Sequence, residues 1–217
     1  MAPLVFCFAT ALQDSSKVAM PPAQIEQQAT TDSQGLLNAP KIGDKVAILD
    51  TEKGKVIVMF LPEKAPKHVA NFIDLADKKF YDGTRFHRCI AGFMVQGGDP
   101  NSKDLNKFGR WGTGGYYEND SERTVPAEFN KVKHLRGIVS MARSSDPNSA
   151  SSQFFIMVAD YPSLDGQYSA FGKVVSGMSA VDEIVKTGDS NNNGQVDPSA
   201  AVMLKSVTIK TWPLPKE

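Results

Sequence analysis

Val46-Ala47-Ile48-Leu49 and Lys55-Val56-Ile57-Val58-Met59-Phe60 are two β-rich runs joined through Asp50-Thr51-Glu52-Lys53-Gly54. Branched and aromatic residues on either side of a short polar segment ending in glycine predict a hairpin. Working outward, Pro66 stands where a helix can begin, and Val69, Phe72, Ile73 and Ala76 follow at i, i+3, i+4 and i+7. That spacing predicts an amphipathic helix ending before Tyr81-Asp82-Gly83, with one face in a core. Further β-like runs occupy 84–90, 93–96, 124–129, 137–142, 153–158, 170–175 and 202–211, each bounded by Gly, Pro, Asp or Asn. A second helix is expected near 178–186, with Met178, Val181, Ile184 and Val185 on its apolar side. Many short strands and only two helices predict a mainly β domain, closed into a barrel whose ends the helices cover.

A chain of 217 residues suits one sizeable core. Twenty-four Lys and Arg balance 24 Asp and Glu, which removes the basic footprint of a protein that tracks phosphates, so nucleic acid is not an expected partner. Cys7 and Cys89 are far apart and offer neither a disulfide framework nor a zinc spacing, and Cys89 reads as a small buried hydrophobe. The apolar run in 1–12 is too short to span a bilayer. Its Ala9-Thr10-Ala11 matches the small-x-small pattern before a signal-peptidase cut, although no Lys or Arg precedes it. The segment is read as an export signal or a disordered N-terminus, favouring an exported or periplasmic location over the cytoplasm. Residues 13–41 are Gln, Ser, Thr, Ala and Pro with few large apolar groups, the composition of a flexible polar linker. The domain itself is placed at 42–213, with 214–217 as a tail.

Phe86-His87-Arg88, then Gly92-Phe93-Met94-Val95-Gln96-Gly97-Gly98-Asp99, then Ser152-Gln153-Phe154-Phe155-Ile156, and finally Leu164-Asp165-Gly166 with Phe171-Gly172-Lys173-Val174 follow one another along the chain. In order and approximate spacing these blocks closely resemble the cyclophilin family of peptidyl-prolyl cis/trans isomerases, from about Val46 to Trp212. The resemblance implies an eight-stranded antiparallel barrel capped by two α-helices. It also implies rotation of X-Pro bonds in proline-containing peptides and in unfolded or partly folded proteins, with a role in protein folding, by a chain that need be no more than a monomer. Arg88 falls at the family's catalytic arginine, Phe93 and Met94 at the apolar wall of the proline pocket, and Gln96 at a hydrogen-bonding partner of the substrate backbone. Ala142, Arg143 and Ser144 match the stretch that holds residues preceding proline, largely through main-chain groups. Gln153 and Phe155 match a second polar contact and the pocket floor, Leu164 another wall, and Tyr168 the rim. The implied reaction makes and breaks no covalent bond, so neither a metal nor a cofactor is expected.

Departures from the eukaryotic pattern are Ser163 in place of Trp, Tyr168 in place of His and Arg143 in place of Asn. They look more like bacterial members and imply weak cyclosporin binding. The rival reading is a non-catalytic module or chaperone that binds proline-containing segments on the same fold. A Ser-His-Asp hydrolase has no Gly-x-Ser-x-Gly elbow in its favour. Asp189-Ser190-Asn191-Asn192-Asn193-Gly194 matches the first half of an EF-hand loop, but the twelfth position is Ala200, so it reads as a polar turn. Trp111-Gly112-Thr113-Gly114-Gly115 lacks the Gly-Lys-Ser/Thr ending of a phosphate loop. His87 is expected to be buried and hydrogen-bonded. His68 and His134 have no partners at metal or triad spacing and read as structural or exposed.

Overall fold

The computed structural model describes residues 31–36 and 38–215. The expected export segment 1–12, most of the expected linker and the last two residues of the tail lie outside them.

Strands β1 (Lys45–Thr51) and β2 (Gly54–Phe60) form the expected antiparallel hairpin, with Val46 opposite Met59 and Thr51 opposite Gly54. The Thr51 hydroxyl donates to Gly54 O at 2.7 Å and accepts from Lys53 N at 3.1 Å, locking the turn from within. Helix α1 (Pro66–Asp77) opens on proline, whose missing N–H would have had no helical acceptor there anyway. Ala65 provides no side-chain cap. Glu128, 60 residues from His68 in sequence, accepts instead from Lys67 N and His68 N at 3.1 and 3.0 Å.

The run expected over 84–90 divides into β3 (Thr84–Arg85) and β4 (Arg88–Ile90). It is followed by β5 (Met94–Gly97), the short strands β6 (Tyr117–Glu118) and β7 (Ser121–Glu122), β8 (Ile138–Met141), β9 (Phe154–Met157), β10 (Ala170–Ser176), helix α2 (Met178–Val185) and β11 (Met203–Thr211). β6 and β7 pair only with each other. The other nine strands make one sheet in the order β3-β11-β1-β2-β10-β8-β9-β5-β4.

Two expectations are corrected here. The closed eight-stranded barrel is a sheet of nine strands among the described residues, and its end strands β3 and β4 share no ladder. Only Phe86 and His87 separate them, and these residues spend their N–H groups on Val202 O and Gln96 O rather than on a turn between β3 and β4. The strand expected at 124–129 is irregular: Val125 makes a single bridge to Ala150, and Pro126 has no N–H. Ala127 N and Glu128 N donate to the side chains of Asn148 and Ser169.

Side chains alternate between two apolar clusters. Ala47 and Leu49 of β1, Val56, Val58 and Phe60 of β2, and Phe154 and Ile156 of β9 join Phe72 and Leu75 of α1 and Val181 and Ile184 of α2 in the main core. Val46, Met59, Met94, Ile138, Phe155 and Met157 belong to a second cluster. A strand's period of two puts these sets on opposite faces of the sheet. The second face is covered by Val132, Leu164, Tyr168, Trp212 and Leu36. The end of the expected linker thus rests on the domain, with Leu36 buried and Asp32 paired to Lys173 at 2.8 Å.

Candidate active site

Strand register assembles the polar heart of the site. Arg88 lies opposite Gln96, Gln96 opposite Phe155, and Phe155 opposite Ser140, one row across β4, β5, β9 and β8. Directly opposed residues share a face, and neighbouring strands lie about 4.8 Å apart. The row therefore sits on the side of the second cluster, and a slip of one residue would turn it into the main core. Beside it lies a cavity of about 100 Å³ lined by Arg88, Phe93, Met94, Gln96, Ala142, Arg143, Phe155, Leu164 and Tyr168. Nine of the eleven expected site residues meet there. A larger hollow of about 1000 Å³, between the segment 34–45, the start of α1 and residues 130–132, contains none of them.

Gln153 and Ser144 stand apart from the cavity lining. Gln153 Nε2 donates to Gly112 O and Gly114 O at 3.0 and 2.8 Å, and its Oε1 accepts from Gln96 Nε2 at 2.9 Å. Two carbonyls thereby fix which end of Gln153 is nitrogen, which turns the Gln96 oxygen toward Arg88 Nη1 at 3.5 Å. Ser144 is exposed and bonded to Ser149. Arg143 donates to Gln167 O and Ser144 O, and its guanidinium lies over the Tyr168 ring at 4.7 Å. Burial lowers the pKa of Arg88, but a guanidinium keeps its charge in proteins.

The floor is buttressed from behind. The His134 ring is stacked 6.2 Å from Phe155, and Tyr168 meets Phe155 edge-on at 5.5 Å. Contrary to the expectation that His134 lacks triad partners, its Nε2 lies 2.9 Å from Ser140 Oγ and its Nδ1 3.3 Å from Asp165 Oδ1. Burial lowers the His134 pKa, with Asp165 opposing. Ser140 is fully buried, so this line of Asp, His and Ser holds no reachable nucleophile. His87 is buried as expected, and burial favours its neutral form. Burial also pushes the Cys89 thiol up to about 12.

Sequence reasoning missed three contributors. Tyr161 lies against the cavity wall, its ring 4.4 Å from that of Phe93. The carbonyls of Gly112 and Gly114 orient Gln153. Asn193 accepts from Arg88 Nε at 3.1 Å and from Nη2 at 2.9 Å. None of the three gives a local signal, because each acts on a partner distant in sequence or through the main chain.

A sheet that sets Arg88, Gln96 and Phe155 in one row beside a small hollow of mixed polar and apolar lining defines the candidate site. The family model described as cyclophilin type peptidyl-prolyl cis-trans isomerase matches residues 46–210, and the chain belongs to that family. Among similar proteins, a probable peptidyl-prolyl cis-trans isomerase of Brucella abortus is 45% identical over 162 residues, covering 73% of this chain and 81% of the relative. A peptidyl-prolyl cis-trans isomerase of Arabidopsis thaliana is 40% identical, covering 76% and 96%. A Cryptosporidium parvum cyclophilin type isomerase, crystallised in the presence of the dipeptide Ala-Pro, superposes with a TM-score of 0.65 at 29% identity, covering 76% of this chain and 99% of that one. The activity is accordingly peptidyl-prolyl cis-trans isomerisation.

Proposed function

We propose that the 100 Å³ hollow receives the proline ring and that Arg88 stabilises the half-rotated amide. Rotation about an X-Pro bond breaks amide resonance against a barrier of about 18–20 kcal/mol. In the twisted state the proline nitrogen regains a lone pair, which a guanidinium can meet with a hydrogen bond that the planar nitrogen cannot accept. Such selective binding of the transition state is the source of rate. One charge-assisted hydrogen bond contributes roughly 1.5–3 kcal/mol, whereas a 10⁵-fold acceleration requires about 7. The remainder is assigned to positioning: Phe93, Met94, Phe155 and Leu164 hold the ring, while Gln96 and main-chain groups around Ala142 and Arg143 fix the flanking peptide.

The observation that carries this reading is the register pairing of Arg88, Gln96 and Phe155 beside a hollow of about 100 Å³ that Phe93, Met94 and Leu164 also line. Unfolded or partly folded proteins that present X-Pro bonds are the proposed clients, met by a monomer outside the cytoplasm. In a coupled-protease assay on a Xaa-Pro peptide, Arg88→Ala is expected to lower turnover by about 10- to 100-fold, with peptide affinity changed less than about threefold. An alanine variant with near-native turnover would remove Arg88 from the role.

A further inference from the structure

The polar turn at 189–194 lies flat against the strand that carries Arg88. Asp189 accepts from Asn191 N through its side chain and from Gly194 N through its carbonyl, both at 2.8 Å, closing a 3-10 turn over Ser190–Asn192. Cys89 N donates to Gly194 O at 2.7 Å, and Val196 N to His87 O at 3.1 Å. A Cβ at Gly188 would collide with Cys89 O, and one at Gly194 with Cys89 O and the Ile90 side chain, so these glycines permit the flush fit. Asn193 follows the turn in the left-handed region, at φ 51°. Its carbonyl and its side-chain oxygen both accept from Arg88, at Nε and Nη2.

These two nitrogens form one edge of the guanidinium, the edge a carboxylate would grip in a two-point ion pair. Asn193 grips it with two neutral oxygens. Among the described residues Arg88 has no ion-pair partner, and only Gln96 otherwise bonds its guanidinium. The edge is therefore fixed without cancelling the charge, and the opposite N–H groups stay available to the cavity. We propose that Asn193 is a positioning residue for the isomerase reaction, a neutral two-point anchor that aims Arg88. The proposal rests on the role given to Arg88 above.

A double-mutant cycle tests it. Asn193→Gly keeps the main-chain carbonyl and suits a positive φ, so it removes the side-chain contact without straining the turn. Expected is a fall in kcat of about five- to tenfold, with KM within about twofold and an unchanged melting temperature. Arg88→Lys removes the planar edge; in that background Asn193→Gly should cost less than about twofold. If Arg88→Lys alone leaves the rate intact, the role of Arg88 fails and the anchor with it. If Arg88→Lys is slow but Asn193→Gly is as fast as the unaltered protein, or costs the same factor in both backgrounds, the anchor alone is overturned.

Discussion

The amide of Gln153 decides the polarity of the site although it is not part of the cavity wall. Its nitrogen is committed to two carbonyls of the 112–114 loop, so its oxygen must receive Gln96. Gln153→Glu would set a carboxylate oxygen against those carbonyls and push the side chain off the 112–114 loop, displacing the acceptor that holds Gln96 Nε2 and so loosening the Gln96 oxygen from Arg88. About tenfold loss of kcat/KM is expected, the rate equivalent of one mispaired polar contact, and kinetics equal to the unaltered protein would show that the amide relay is idle. At this scale the motif Ser152-Gln153-Phe154-Phe155 was legible, and Phe155 indeed meets the cavity. The direction of the Gln153 amide was not legible, because its acceptors are main-chain oxygens 39 and 41 residues away.

Elements defined by local pattern were the most legible, and those held from a distance the least. Both helices and the first hairpin follow from spacing and branched residues, since their own side chains decide where they bury. Segment 124–129 reads as a strand but does not form one, because Pro126 interrupts the donors and remote side chains take the remaining N–H groups. The same segment supplies the cap of α1, which no local signal could reveal. The Glu128 side chain accepts two helix N–H groups and lies 2.7 Å from His68 Nδ1. Burial would raise its pKa, but the bonds from His68 and Lys67 outweigh this and hold it below the usual range. Glu128→Ala should lower the unfolding free energy by about 1–3 kcal/mol in urea. An unchanged midpoint would mean that α1 needs no remote cap.

For the molecule as a whole, the antiparallel sheet and its two helices were legible, whereas the ends of the sheet were not, because two residues, Phe86 and His87, determine how the run at 84–90 is divided. All three histidines of the chain are buried, and burial holds His68, His87 and His134 below the ordinary imidazole value of 6.5. The unfolded chain therefore takes up protons that the folded one refuses. Their contribution is complete above about pH 6.5 and is lost as pH falls from there toward the lowered native values. Each histidine can contribute a slope of up to about 1.4 kcal/mol per pH unit in that window. Urea titrations between pH 7.5 and 5.5 should show declining stability, less steep in His134→Asn, and a flat profile would contradict the assignment. The alternation that separates the two apolar clusters also leaves the row of Arg88, Gln96 and Phe155 on the face of the sheet away from the main core. No chain end has to be threaded through a tunnel, so a proline midway along a long polypeptide, or at the tip of a surface loop, can be serviced where it stands.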